Sequence, residues 1–260
     1  MDEEVKLNWS RFEAALMQRV ASSKRLAEEL LKEQARSLFR TVVEITPPGH
    51  AGAPAGSRAA TAAGQNKVAS DIAKLYGSTG TAFDLIAAKS EPDARVFWAM
   101  KTKRPDAASD IVRKHLDAWY GPFDGGKLHK ERFKGGRVRG GRKKAPIYIV
   151  QQKDQRALKE YLRQQQAHVN WLASGWKRIA NALGIHVAQA IARHSAPGVA
   201  TITATMERIL IRATNEVGYA SDVDLRRRIQ SAIDRRSGAM ERQWKFFVEE
   251  QFVRHLAKAA

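Results

Sequence analysis

From Trp9 to Val42 the apolar residues Trp9, Phe12, Leu16, Val20, Ala27, Leu30, Leu31, Leu38, Phe39 and Val42 fall on one helical stripe. Ser10 with Glu13 makes a capping box, and Pro47–Pro48 cannot continue a helix, so the pattern predicts a helix from Ser10 to Glu44 with a bend at Ser22–Ser23. Residues 46–66 carry three prolines, four glycines and no periodicity, which reads as a flexible arm. Short helices are expected around Lys67–Tyr76, Ala82–Lys89 and Pro92–Ala99. A better helix spans Asp106–Tyr120, with Ile111, Val112, His115, Leu116 and Trp119 on its stripe and Gly121–Pro122 at its end.

Further along, Pro146–Gln151 suits a strand. Asp154 opens a second long helix with Leu158, Tyr161, Leu162, Val169, Leu172, Trp176, Ile179 and Leu183 on its stripe and Gly184 as its cap. Gly175 lies inside that stripe, where its cost to a helix predicts close approach of another backbone. Ile185–His194 reads as a short helix. Val199–Thr205 and Ile209–Asn215, rich in Val, Ile and Thr, predict an antiparallel hairpin. Ser221 with Asp224 caps a third long helix, with Leu225, Ile229, Ile233, Met240, Trp244, Phe247, Val248, Phe252 and Leu256 on its stripe and a bend at Ser237–Gly238. The expected fold is α+β: long N-terminal, central and C-terminal helices packed on a small antiparallel sheet of about three strands. It forms a single domain over residues 1–260, with the arm at 46–66 and a basic loop at 121–146.

Charge changes the picture most in that loop. Residues 127–144 hold nine Lys or Arg against one acid, broken by Gly135–Gly136 and Gly140–Gly141 and preceded by Gly125–Gly126. Glycine entropy and cation repulsion predict an extended, mobile segment that orders on a polyanion or an acidic partner. Candidate contact residues are Lys127, Lys130, Arg132, Lys134, Arg137, Arg139, Arg142, Lys143 and Lys144, with a second basic patch at Arg226, Arg227 and Arg228. Phe133 is the loop's one aromatic residue, so sequence-specific readout has no support. The formal charge of +18 agrees with an anionic partner. Without cysteine there is no thiolate chemistry, and no apolar run suits a membrane span or a secretory signal, so the chain reads as soluble.

Catalytic patterns are weak. Pro105–Asp106 followed by Gln151–Gln152–Lys153 is similar in layout to metal-dependent nucleases, but Asp106 opens a helix and Gln151 stands where a second carboxylate belongs. Gly77–Ser78–Thr79–Gly80–Thr81 lacks the Gly-Lys-Ser/Thr of a P-loop. His186 and His194 are too far apart on one helix for a single ion, and His115 reads as a core-edge residue. No metal and no cofactor is implied.

The order of elements carries a resemblance. A long helix ending in Leu38-Phe39-Arg40-Thr41-Val42-Val43-Glu44-Ile45-Thr46-Pro47-Pro48-Gly49 is followed by Val169-Asn170-Trp171-Leu172-Ala173-Ser174-Gly175-Trp176, then Ala192-Arg193-His194, then a hairpin ending in Ala213-Thr214-Asn215 with Tyr219-Ala220. This resembles minor virion proteins of tailed phages, most of all the tail-completion and neck (head-tail connector) types. The resemblance covers about half the chain and implies a non-enzymatic structural subunit of a bacteriophage virion, assembling as a homo-oligomeric ring with neighbouring virion proteins. It implies localisation in the virion, and in the host cytoplasm during assembly. Thr46–Pro47–Pro48, Gly175–Trp176 and the Asn215–Tyr219 turn would be architectural; the arm and the basic loop fall outside the pattern. On this reading the loop faces double-stranded DNA or an acidic neighbouring subunit. The alternatives are a nonspecific nucleic-acid-binding protein acting alone and a Mg-dependent nuclease relying on Asp106 and Lys153.

Overall fold

In the computed structural model, which describes residues 24–50, 52–134, 137–143, 145–204, 209–217 and 223–259, apolar stripes form helices and β-branched runs form short strands. In chain order these are α1 (Lys24–Ile45), α2 (Arg58–Ala73), β1 (Tyr76–Gly77), α3 (Thr79–Ala87), α4 (Glu91–Met100), α5 (Pro105–Leu116), β2 (Trp119–Gly121), α6 (Lys127–Arg132), β3 (Phe133–Lys134), β4 (Arg137–Val138), β5 (Tyr148–Val150), α7 (Gln155–Ala167), α8 (Trp171–Ser174), α9 (Lys177–Ala182), α10 (Gln189–Ala192), β6 (Gly198–Ala204), β7 (Ile209–Asn215) and α11 (Val223–Ala259). The protein is mixed α+β, with sheets of two or three strands. The expected capping residues Ser10, Glu13 and Ser221, the bend at Ser22–Ser23, and Trp9 lie outside the described residues. Where the sequence reads as one domain, the contacts form two compact units, Met1–Thr61 with Asn170–Ala260, and Ala62–Val169.

In the first unit, Trp176 is fully buried among Phe39, Val42, Ile179, Leu225 and Ile229. Its indole Nε1–H donates to the Thr46 hydroxyl at 3.1 Å, and that hydroxyl donates to the Val42 carbonyl at 2.6 Å. A buried indole N–H needs such an acceptor. The predicted hairpin forms as β6 and β7, antiparallel, with Gly198 opposite Asn215 and Ile202 opposite Ile211. Gly175 makes the close approach expected of it: a Cβ there would stand 2.2 Å from the Asn215 amide oxygen, and a Cβ on Gly198 would stand 2.0 Å from the Gly175 carbonyl. Asn215 Nδ2 in turn donates to the Leu172 carbonyl at 2.7 Å. Helix α11 buries Leu225, Ile229, Ala232, Ile233 and Met240, as its stripe requires, and runs unbroken through Ser237–Gly238.

Two expectations are corrected in this part of the chain. The central helix is not continuous: it divides into α7, α8 and α9, and the break between α7 and α8 falls where Asn170 adopts a left-handed backbone (φ 76°). Asn tolerates that conformation, and its side chain accepts from the Gly56 N–H at 3.2 Å and donates to the Thr61 hydroxyl at 2.9 Å. The arm, expected as loop over 46–66, is helical from Arg58 onward. Ser57 Oγ accepts from the Ala60 N–H at 3.2 Å, and the alanines that follow favour helix. The Gly184 cap forms as expected, with φ +67° after α9.

The second unit is built on a parallel sheet in the order β1-β5-β2, with Ile149 opposite both Gly77 and Tyr120. The predicted strand within Pro146–Gln151 is present, but it pairs in parallel rather than joining an antiparallel sheet. Both faces of β5 are covered. Ile149 packs with Ala82, Ile86, Phe97 and Val112 of α3–α5, while Val150 packs with Ile72, Leu75, Tyr76 and Tyr161. Burial on both faces is what parallel strands require. Helix α5 ends at Leu116, earlier than expected, because Asp117 turns left-handed (φ 51°). Trp119 therefore sits in edge strand β2, 63% exposed, rather than on a buried stripe. His115 lies at the core edge, its Nε2 2.6 Å from Asp93.

The packing around Gly175 generates a test. Gly175→Ala forces a methyl group onto Asn215 and should destabilise the first unit by about 1–3 kcal/mol, read as a lower urea midpoint. An unchanged midpoint would contradict this packing.

Candidate polyanion interface

The basic segment between β2 and β5 is anchored at both ends. At its start, Asp124 Oδ1 accepts from the Tyr76 hydroxyl at 2.7 Å and from the Gly126 N–H at 2.9 Å, while Oδ2 accepts from the Leu128 N–H at 2.9 Å. A carboxylate taking the first free N–H groups of a helix is the usual N-terminal device, and here it starts α6. Gly125 and Gly126 supply the left-handed turn before the helix (φ +68° and +84°). A Cβ on Gly126 would stand 2.3 Å from the Tyr161 ring. Gly126 thus permits close packing, and Gly125 supplies only the left-handed conformation.

One turn on, His129 is buried, with Nδ1 2.8 Å from the Tyr161 hydroxyl and its backbone N–H 3.3 Å from the Tyr76 hydroxyl. Burial pushes the imidazole below its ordinary value, opposed by the charge of Asp71. Burial and then the hydrogen bond to Asp124 push the Tyr76 phenol up. Asp71 is itself buried; its burial opposes ionisation, but hydrogen bonds from Lys67 and Lys74, both at 2.8 Å, hold its carboxyl below the usual range. In this environment burial favours the neutral form of His129, which shares its Nδ1 hydrogen bond with the Tyr161 hydroxyl.

After α6 the chain forms an antiparallel ribbon, with Phe133 opposite Val138 and Lys134 opposite Arg137. The Arg139 N–H donates to the Arg132 carbonyl at 2.8 Å and extends the pairing. Strand pleating separates the two faces. Phe133 and Val138 share one face: Val138 packs on the Ile72–Leu75–Tyr161 cluster, and the Phe133 ring lies 5.5 Å from that of His129. Lys134 and Arg137 share the other face, and the same register sets Arg132 and Arg139 beside them. All four are exposed. At the far end Arg142 clamps the return strand, donating to the Leu116 carbonyl at 3.1 Å, the Asp117 carbonyl at 2.9 Å and the Asp117 carboxylate at 2.9 Å.

The extended loop expected over 121–146 is thus corrected to a short helix and a ribbon. Asp124, two left-handed glycines, Val138 and Arg142 offset the cation repulsion that argued for coil. Of the candidate residues, Lys127, Lys130 and Arg132 lie on α6, Lys134 on β3 and Arg137 on β4; Lys143 is exposed just before β5. Among the described residues none of these, nor Arg139, has an ion pair, whereas Arg142 is taken up by Asp117. Lys144 lies outside the described residues. Arg226, Arg227 and Arg228 lie near the start of α11 in the first unit, where Arg228 donates to the Gly49 carbonyl at 3.2 Å. The second unit carries 22 Lys or Arg against 11 Asp or Glu over residues 62–169, a net charge of +11 out of +18.

Sequence reasoning missed Asp124, Tyr76, His129 and Tyr161, whose partnership is nonlocal. The local sign was Asp124 before two glycines. The nuclease candidates are not in a comparable setting. Asp106 is exposed in the first turn of α5, and Lys153 is exposed in a short 3₁₀ turn after β5. Among the described residues no group of three or more His, Asp or Glu could hold a metal ion, and no helix is long and apolar enough to cross a membrane.

Two outcomes follow from this network. Asp124→Ala leaves the Tyr76 hydroxyl and the Gly126 and Leu128 N–H groups without their acceptor and should cost about 1–3 kcal/mol in chemical denaturation; full stability would contradict the role given to Asp124. His129 is held below its unfolded value of about 6.5, so below that pH the unfolded chain binds more protons than the folded one. Stability should therefore fall on acidification until folded His129 also protonates. Melting temperatures between about pH 7.5 and 5 should show this fall, and His129→Gln should reduce it; identical profiles would refute the assignment.

Compared with known protein families, with curated proteins and with solved structures, the chain matches none.

Proposed function

We propose that this protein is a non-catalytic assembly subunit, of the neck or tail-completion kind found in tailed-phage virions, whose basic ribbon contacts a polyanion. The observation that carries the reading is the role of the residues behind the resemblance. Thr46, Gly175, Trp176 and Asn215 meet in the buried core of the first unit and act on one another through packing and hydrogen bonds. They are framework residues, with no cleft chemistry attached to them. Long helices α1 and α11 supply the scaffold and, with the hairpin, the surfaces through which copies associate in a ring. The ribbon adds a cationic contact, consistent with the charge of the unit that bears it.

A nonspecific nucleic-acid-binding protein acting alone is the second reading, favoured by the same ribbon. Mass separates the two. Light scattering in about 0.5 M salt, where exposed charge contacts are screened, should give a discrete ring-sized oligomer, or a monomer that forms rings when a virion partner is added. A monomer that assembles with nothing and binds DNA once salt is lowered would replace the first reading with the second.

A further inference from the structure

We infer that the polyanion is double-stranded nucleic acid, held through its phosphates by the ribbon face that carries Arg132, Lys134, Arg137 and Arg139. This rests on the polyanion reading above and narrows it to one class of partner.

Four observations lead there. The first is the separation of faces: pleating places cations on one side and Phe133 with Val138 on the other. Proteins that hold single strands stack bases on aromatic side chains, yet the ribbon's aromatic ring, Phe133, lies on the face opposite the cations, 5.5 Å from the His129 ring and 39% exposed. The cationic face is a charge surface without a stacking platform. The second is shape. A two-stranded ribbon is of a size that the major groove of a duplex, about 12 Å wide, admits, and the ribbon is ordered beforehand by Asp124 and Arg142.

The third observation is what an acidic protein would need. Protein interfaces centre on buried aromatic or apolar anchors within a polar rim, and the cationic face offers no apolar group at its centre. The fourth is the electrostatic state of the ribbon alone. Lys134 and Arg137 stand directly opposite each other, an arrangement that destabilises a strand pair, and among the described residues no carboxylate pairs with either. Dense phosphate charge relieves that repulsion, since each neutralised phosphate also releases counterions. The contacts proposed are to phosphates, which carry no sequence information, so the binding is indifferent to sequence.

The test is fluorescence anisotropy of the full chain with a duplex of about 25 base pairs, long enough to exceed the footprint of a single module. The same strand unpaired, a duplex of unrelated sequence and poly-glutamate serve as competitors. The expected result is tighter binding of both duplexes, equally, than of single strand or poly-glutamate. Plotted as log affinity against log salt, Arg132→Ala/Lys134→Ala/Arg137→Ala/Arg139→Ala together should make the slope shallower by about 3.6, or about 0.9 per lost phosphate contact. Equal melting temperatures of the variant and parent guard against a folding defect. A second variant that exchanges Lys for Arg and Arg for Lys at the four positions should retain the parent slope. Preference for single strand or poly-glutamate, or an unchanged slope in the four-alanine variant, overturns this inference and leaves the polyanion reading standing. Binding to none of the probes overturns both.

Discussion

The arrangement of the second unit depends on one carboxylate. Asp124 accepts hydrogen bonds from a tyrosine of β1 and from two backbone N–H groups at the start of α6. It thereby joins the sheet to the helix and sets the direction in which the chain leaves toward the ribbon. Tyr161 from α7 closes the arrangement, filling the space that Gly126 leaves by having no side chain and meeting His129 through its hydroxyl. A buried polar network of this kind is worth its desolvation only when its members are satisfied, and here the acid, both phenols and the imidazole each have partners. The basic residues that follow are displayed by a scaffold in which this acid, both phenols and the imidazole are all hydrogen-bonded.

The first unit is governed by a different constraint, the near contact of backbones. Gly175 and Gly198 let α8 and the β6–β7 hairpin approach to a distance that any side chain would prevent, and Asn215 fills the junction with an amide that bonds the Leu172 carbonyl. Trp176 and Thr46 then tie the same region to the end of α1. Small residues set the spacing, and hydrogen bonds to carbonyls and a hydroxyl fix the orientation.

Much of the local structure was legible in the sequence. The stripes of α1 and α11, the Val/Ile/Thr pair of strands β6 and β7, the Gly184 cap and the close packing at Gly175 all follow from periodicity or from single-residue conformational rules. The parallel sheet was hidden because its strands are only two or three residues long. Strands that short show no alternation, and Ile149 and Val150 belong to opposite faces of one buried layer. The ribbon was hidden for another reason. Composition alone predicts repulsion and coil, and what opposes them is distant in sequence: Tyr76, which bonds Asp124, the Lys74 carbonyl, which accepts from the Arg142 N–H at 3.4 Å, and Asp117. The break at Asn170 likewise depends on Gly56 and Thr61. In the candidate interface the cations were visible as residue types, but their division onto one face required the register.

Asn170 has a further consequence. Thr61 and Asn170, the residues at which the chain leaves and re-enters the first unit, are joined by a hydrogen bond between their side chains. The 62–169 segment is thus an insertion whose two stems meet at one point. Closing a flexible loop costs only slowly more as it lengthens, so a host framework with its stems pinned together tolerates a longer, shorter or exchanged insert at little thermodynamic expense. The framework is held by its glycine contacts and the charged module by a core of its own.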